Sequence, residues 1–159
     1  MRPVAGDPIF TTNLYGALRA GELCEGDLRL VLSDIVPHIY HKVPTYFFRM
    51  ISSPSGAEVG NINLRVGSTS HIELYAGHVG YGVHQAFRGR RYATRSVGLL
   101  VPLARRVGLD PLWVTCDPDN IASRRSLELA GAEFVEIIDV PEDCGIFQNG
   151  HPRKCRYRL

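Results

Sequence analysis

The feature that most restricts the fold of this 159-residue chain is a change of hydrophobic period after Val83. Three earlier segments are rich in branched and aromatic residues and are separated by proline- or glycine-containing stretches, which is typical of strands. These segments are LRLVLSDIV, TYFFRMI and EVGNINLRV. After Val83, apolar residues recur at spacings of three and four, which predicts a helix. The residues in this pattern are Val97, Leu100, Val101 and Ala104.

A fourth strand is predicted over residues 71–83, HIELYAGHVGYGV, which has Gly77, Gly80 and Gly82 in its interior. Interior glycine usually marks a bulge or a place where another backbone or a ligand comes close. The turn signal SSPSG between the second and third strands predicts an antiparallel hairpin with a loop longer than two residues.

Helices are predicted at two further places besides the one after Val83. One covers residues 11–23, with Leu14 and Leu18 on one face. The other lies in DPDNIASRRSLELAG, with Asp119 or Asn120 near its start and Gly131 just past its end. In the helix that follows Val83, Pro102 predicts a local bend of the helix and not its end.

A short buried strand is predicted in PLWVTCD, between the two later helices. Two more strands, in EFVEIIDVP and RKCRYRL, flank a loop over residues 142–151. The order of strands, helix, strand, helix and hairpin predicts one α/β domain over residues 1–159, with a mixed sheet and helices on its faces.

Composition restricts the class of protein and of partner. The formal net charge of +2 is too small for a dedicated nucleic-acid binder, which needs a broad basic surface. No segment has the length and hydrophobicity of a membrane span, so we expect a cytoplasmic protein with no membrane partner. The four cysteines form no CxxC pair, and the histidines of the HxxH pair, His38 and His41, lie between two prolines. We therefore expect no metal site.

The segment FRGRRYATRS lies between the fourth strand and the first long helix, where the unpaired amides of a helix start favour an anion. Gly89 permits close backbone approach, and four arginines add positive charge. They are Arg88, Arg90, Arg91 and Arg95. The alternative is that these arginines form a solvated face or pair with Glu142 and Asp143.

The run VHQAFRGRRYAT resembles the acyl-CoA-binding motif of the GCN5-related N-acetyltransferases (GNAT), Arg/Gln-x-x-Gly-x-Gly/Ala. Arg88 occupies the first position and Ala93 the last, whereas Arg91 stands where glycine is usual. We expect Arg91 to be a helical residue without backbone strain whose guanidinium reaches a phosphate, with altered geometry and retained binding.

A second segment, DPDNIASRRSLELAGA, is similar to the Asn-x-x-Ala/Ser helix of the same family. Asn120, Ser123 and Gly131 are in register, and Ala132 replaces the usual aromatic residue. The resemblance spans residues 58–140. It implies an α/β fold with a central mixed, mostly antiparallel twisted sheet, flanked by helices and with a V-shaped splay between strands 4 and 5.

The resemblance implies acetyl-CoA as cofactor, bound at the helix start and in the V-shaped gap. The backbone of residues 81–83 would bond the pantetheine arm and polarise the thioester carbonyl, and Asn120 would hold the other side of the arm. The implied cofactor-binding residues are Tyr81, Gly82, Val83, Arg88, Gly89, Arg90, Arg91, Tyr92, Ala93, Thr94, Asn120 and Ser123.

For catalysis, the resemblance implies direct attack of an amine on the thioester. Glu73, on the predicted fourth strand, is the candidate base, ahead of His84 and His78. The family tyrosine that protonates the thiolate is replaced by Leu127, so Ser123 or solvent would serve.

The predicted acceptor is a primary amine of a small molecule or a protein N-terminus. The missing tyrosine leaves open a non-catalytic acyl-CoA-binding module, and the arginine cluster leaves open a nucleic-acid patch. An exposed last strand is compatible with a homodimer.

Overall fold

The computed structural model describes residues 23–37 and 41–159. The helix predicted over residues 11–23 lies outside these ranges except for Leu23, which is buried, and His38 also lies outside them. Among the described helices, none has the length and apolar character needed to cross a membrane.

The first five strands form one antiparallel sheet in the order of the chain. They are β1 (Cys24–Glu25), β2 (Leu28–Pro37), β3 (Pro44–Ser52), β4 (Ala57–Arg65) and β5 (Val79–Val83). The loop between β3 and β4 covers residues 53–56, which confirms the predicted hairpin with a loop longer than two residues. Alternate residues of β3 and β4 face the core, where Phe48 pairs with Ile62.

The predicted fourth strand is wrong in its first half, because Ile72–Ala76 forms a π-helical turn. Tertiary partners hold this turn: Arg156 donates two hydrogen bonds to the carbonyl of Glu73, at 3.1 and 2.9 Å. The Thr115 hydroxyl donates to the carbonyl of Tyr75 at 2.7 Å. These carbonyls thus have the hydrogen-bond donors that a neighbouring strand would otherwise supply.

Helix α1 (Tyr92–Arg106) packs its apolar face on the first sheet. Val97, Leu100 and Ala104 are fully buried, as the spacing of apolar residues predicts. The helix continues through Pro102 to Arg106, so the proline does not end it, as predicted.

The remaining strands form a second antiparallel sheet in the order β6-β8-β7. They are β6 (Trp113–Cys116), β7 (Glu133–Asp139) and β8 (Arg153–Arg158), with helices α2 (Ile121–Leu129) and α3 (Gly145–Gln148) between them. The predicted boundaries of α2 are confirmed: Asn120 is its N-cap, and Gly131 follows its end with φ +88°. The last two strands are paired, as predicted. The expected exposed last strand is wrong, because β8 lies between β6 and β7 and pairs with both, which leaves β7 at the edge.

The two sheets meet at the start of β5 and diverge from there. The His78 amide donates to the Trp113 carbonyl at 2.6 Å, and the Trp113 amide donates to Nδ1 of His78 at 2.9 Å. Gly77, with φ +73°, lies so close that a Cβ would be 3.0 Å from the Thr115 amide nitrogen. We call this contact between His78 and Trp113 the vertex. Beyond the vertex, β5 and β6 form no ladder within the described residues, so a V-shaped gap opens between them, as predicted.

Candidate active site

The start of α1 presents backbone amides that no side chain caps in the described part of the chain. After β5, a short 3₁₀ turn (Gln85–Phe87) leads into Arg88 and Gly89, which has φ +84°. Arg91 is the N-cap residue of α1, and it makes no side-chain cap hydrogen bond. The free amides and the positive end of the helix dipole therefore form an anion-binding cradle.

Arg91 is not a right-handed helical residue, contrary to the prediction. Its φ of 61° and ψ of 24° lie in the left-handed region, which favours glycine. A residue with a Cβ pays about 1–2 kcal/mol in this conformation. The turn into α1 requires this geometry, which is the physical reason why a glycine suits the position and why the arginine strains it.

The four arginines of the cradle segment divide into two groups. Arg95 bonds Glu25 at 2.7 Å and Asp27 at 2.6 Å, so it ties α1 to the start of the first sheet. The hydrogen bond from Arg95, followed by that from Tyr92, lowers the pKa of Asp27 to about 2.

The other three arginines form no ion pair with any described residue, Glu142 and Asp143 included. Nε of Arg88 donates to the Val83 carbonyl at 3.1 Å, and the Arg90 guanidinium lies 6.0 Å from the Phe87 ring centroid. Arg88, Arg90 and Arg91 are exposed, so their charge is available to an anion in the cradle.

A cavity of about 330 Å³ joins the cradle to the V-shaped gap. It is lined by Tyr81, Gly82, Val83, Phe87, Arg88, Gly89, Arg91, Tyr92, Ala93, Asn120, Ala122, Ser123 and Ser126. All the predicted cofactor-binding residues are among them except Arg90 and Thr94. The Thr94 hydroxyl instead donates to the Ser126 carbonyl at 3.0 Å and joins α1 to α2.

A second cavity, of about 360 Å³, lies on the other side of the gap. It is lined by His41, Arg65, Tyr75, Ala76, Val79, Gly80, Tyr81, Thr115, Cys116, Asp117, Asn120, Ser123, Ile146, Asn149, His151 and Lys154. The two cavities share Tyr81, Asn120 and Ser123, which we call the seam. Groups bound on opposite sides of the seam would meet there.

Hydrogen bonds fix the seam. The Tyr81 hydroxyl lies 2.8 Å from the Ser123 hydroxyl and 3.2 Å from the Ser123 carbonyl oxygen, so its one proton has two acceptors within reach. Oδ1 of Asn120 accepts from the Ser123 amide at 3.1 Å, so its NH₂ group remains available. Burial raises the pKa of Tyr81 to about 12 and that of the neighbouring Cys116 thiol to about 11. Both groups therefore carry their protons at neutral pH.

The sequence analysis missed a charged cluster in the second cavity. Asp117 accepts from Nδ1 of His151 at 2.6 Å and from Nζ of Lys154 at 2.7 Å. Desolvation opposes ionisation of Asp117, but these two hydrogen bonds outweigh it and lower the pKa of the carboxyl. A usable signal was the position of Asp117 directly after a buried strand, where polar residues often carry function.

The predicted bases lie elsewhere. Glu73 is on the π-helical turn, not on a strand, and lines neither cavity. Its role as base stays a prediction. His84 is exposed and also lines neither cavity. Both ring nitrogens of the buried His78 have partners, Ser68 and Trp113, and burial lowers its pKa to about 4.

Comparisons with known proteins agree with this geometry. A family model described as an acetyltransferase (GNAT) domain matches residues 25–133. No curated protein matches the sequence significantly.

Among solved structures, a probable acetyltransferase from Chromobacterium violaceum has a TM-score of 0.62 and 15% identity over 86% of this chain and 84% of that chain. Ribosomal-protein-S5-alanine acetyltransferase from Vibrio fischeri has a TM-score of 0.57 and 15% identity over 72% of this chain and 61% of its own.

A microcin C7 self-immunity acetyltransferase, solved with acetyl-CoA and AMP, has a TM-score of 0.56 and 15% identity. The match covers 72% of this chain and 60% of that one. Matches to an acetyltransferase from Bacillus anthracis and to one from Vibrio cholerae likewise cover less than two thirds of those chains. At these identities the similarity shows a shared fold.

Proposed function

Because this chain belongs to the GNAT acetyltransferase family, we propose that it transfers an acetyl group from acetyl-CoA to a primary amine by direct attack. The observation that carries the proposal is the seam, where Tyr81, Asn120 and Ser123 line two cavities at once. One cavity suits the cofactor, and the other suits the acceptor.

The cradle fits the diphosphate of acetyl-CoA. The first amides of α1 are uncapped in the described part of the chain, and three exposed arginines beside them have no carboxylate partner there. A doubly charged phosphate group would satisfy both the amides and the guanidinium groups.

The edge of β5 fits the pantetheine arm. The His84 amide donates to the Val59 carbonyl at 2.8 Å. Together with the register of the antiparallel ladder, this hydrogen bond shows which residues of β5 direct their backbone amides and carbonyls to β4. By the alternation of that ladder, the peptide groups of Tyr81 and Val83 face the open gap. An extended amide-bearing chain in the gap would pair with them as an added strand, opposite the free NH₂ of Asn120.

The seam supplies a proton donor for the leaving thiolate. Leu127, at the position where the family tyrosine stands, is fully buried and cannot donate. The Ser123 hydroxyl would give its proton to the sulphur and be resupplied by the Tyr81 hydroxyl 2.8 Å away. The raised pKa of Tyr81 keeps that hydroxyl protonated at neutral pH.

The acceptor belongs to one of two classes, a small-molecule amine or a protein N-terminus. The solved neighbours include ribosomal-protein acetyltransferases, which supports a protein acceptor, and a microcin C7 self-immunity acetyltransferase. The second cavity has a polar, charged lining, which favours a hydrophilic acceptor.

The test combines binding with turnover. Calorimetry measures acetyl-CoA binding to the wild type, to Arg88→Ala and to the control Arg125→Ala, which removes an equal charge outside both cavities. We expect about tenfold weaker binding for Arg88→Ala only. Release of coenzyme A is then followed with spermidine, benzylamine and a hexapeptide with a free N-terminal alanine.

Two results would contradict the proposal. Absence of acetyl-CoA binding refutes the cradle assignment. Binding without thiol release for any amine favours a non-catalytic acyl-CoA-binding module, an alternative that Leu127 at the tyrosine position supports.

A further inference from the structure

The second cavity contains a carboxylate–imidazole pair whose placement is built into the sheet. Asp117 directly follows β6, and His151 lies just before β8. These strands are paired, with Cys116 opposite Cys155, so the ends that carry the two residues are held side by side. The resulting hydrogen bond between Nδ1 of His151 and Oδ2 of Asp117 is 2.6 Å long.

The hydrogen bond decides which nitrogen of His151 can accept a proton. A carboxylate accepts and does not donate, so Nδ1 carries the hydrogen and Nε2 keeps its lone pair in the neutral ring. Lys154 donates to the second oxygen of Asp117 at 2.7 Å and holds that carboxylate in its ionised form. An imidazole oriented in this way by a carboxylate is the usual arrangement of a general base.

The exposure of the side chains distinguishes His151, which an acceptor could contact, from Asp117 and Lys154, which hold it in place. The side chain of His151 is 44% exposed and lines the second cavity, whereas those of Asp117 and Lys154 are 27% and 14% exposed. The ring is thus accessible to an amine in the cavity, and its two supports are shielded. The same cavity reaches the seam, where the thioester would lie.

We infer that His151 is the catalytic base of the acetyl transfer and that Asp117 positions it, an inference that rests on the proposed function. The ammonium of the acceptor gives one proton to Nε2 of His151. The freed nitrogen lone pair forms the C–N bond as the C–S bond breaks, and the sulphur keeps that electron pair. The thiolate takes a proton from Ser123, and the hydrogen-bonded Ser123–Tyr81 pair regains a proton when the new amide nitrogen loses its second one. The products are the amide, the thiol and a protonated His151, so charge and protons balance.

Several titratable groups face His151 across the cavity. Asp117 and Lys154 contact it or its carboxylate, and the cavity also contains Arg65, Tyr75, His41 and Cys116. Burial raises the pKa of Cys116 to about 11, so this thiol does not titrate near neutrality. His41, which is bonded to His71 at 2.9 Å, is the other imidazole that titration of the cavity can report.

The experiment compares three glutamine substitutions with acetyl-CoA and the amine of the panel that the wild type uses best. His151→Gln removes the base, Glu73→Gln removes the base expected from sequence, and His84→Gln removes an exposed histidine outside both cavities. We expect His151→Gln to lower kcat by about a hundredfold or more and to abolish the acidic limb of the pH profile. Glu73→Gln and His84→Gln should retain the wild-type kcat and the acidic limb, and none of the three substitutions should change the affinity for acetyl-CoA.

Two further variants separate catalysis from structure. His151→Ala should regain part of its activity with added imidazole, which a structural defect would not allow. Asp117→Asn should lower kcat by about tenfold and move the acidic limb to lower pH, because the protonated ring loses a stabilising charge. If the pH profile of His41→Gln has the same acidic limb as that of the wild type, the limb is assigned to His151. If His41→Gln loses the acidic limb, that assignment is overturned.

Different results would refute the assignment of His151 as the base and the proposed acetyltransferase function. If His151→Gln keeps wild-type kcat and pH profile, or if only Glu73→Gln loses them, the inference is refuted and the acetyltransferase proposal stands. If the wild type releases no coenzyme A with any amine of the panel, both are refuted.

Discussion

Replacing Arg91 by glycine should stabilise the protein and weaken cofactor binding at the same time. The residue has φ 61°, and its exposed side chain makes no hydrogen bond or ion pair with any described residue. Glycine removes a conformational cost of about 1–2 kcal/mol and adds backbone entropy to the unfolded chain worth about 0.5–1 kcal/mol. The net gain is about 1 kcal/mol, or about 2–4 °C in Tm for a chain of this size.

The effect of Arg91→Gly on binding has the opposite sign. The guanidinium lines the cavity beside the uncapped amides of α1, so its removal takes one cation away from the bound diphosphate. An exposed charge contact of this kind contributes about 0.5–1 kcal/mol, which corresponds to a two- to fivefold weaker acetyl-CoA affinity. The difference should shrink as salt is added, because exposed charges are screened.

Thermal unfolding and calorimetry, with Arg91→Ala as the matched control, check both parts. Alanine removes the same charge but keeps a Cβ in the left-handed region, so it should lose affinity without gaining stability. A Tm for Arg91→Gly no higher than that of Arg91→Ala would refute the argument from backbone strain. Unchanged affinity in both variants would refute the contact with phosphate.

Three further predictions follow from the seam and the vertex. Tyr81→Phe should lower kcat by about tenfold or more with unchanged acetyl-CoA affinity, because the proton of Ser123 is no longer resupplied; equal steady-state rates would exclude the relay. Gly77→Ala should destabilise the protein by about 2 kcal/mol in urea unfolding, because φ is +73° and the Cβ would lie 3.0 Å from the Thr115 amide; an unshifted midpoint would contradict this. The pKa of His78 is lowered to about 4, so the unfolded state binds the extra proton as pH falls from 6.5 to 4, and stability should drop by up to about 3 kcal/mol over that window; a His78→Gln variant with the same pH dependence would disprove the assignment.

Much of the fold followed from local patterns. The β3–β4 hairpin, helices α1 and α2 and the final paired strands were predicted, because period, turn residues and caps act over a few positions. The family is confirmed by the match over residues 25–133, and the enzyme class and the acetyl-CoA cosubstrate that the family implies remain proposals.

The failures occurred where contacts distant in sequence override local preference. Residues 72–76 have strand-like composition, yet Arg156 and Thr115 bond their carbonyls and hold a helical turn. Arg91 looked helical because it precedes a helix directly, but as the N-cap residue of α1 it has a positive φ of 61°.

The sequence by itself determined the cradle, because its glycine, its arginines and the helix start occupy one continuous run over residues 88–94. Only the tertiary structure decided the second cavity and its charged cluster. Asp117 and His151 are separated by 34 positions and meet through the pairing of β6 with β8. Local periodicity carries no information on which distant strands pair, since that choice depends on burial of the whole core.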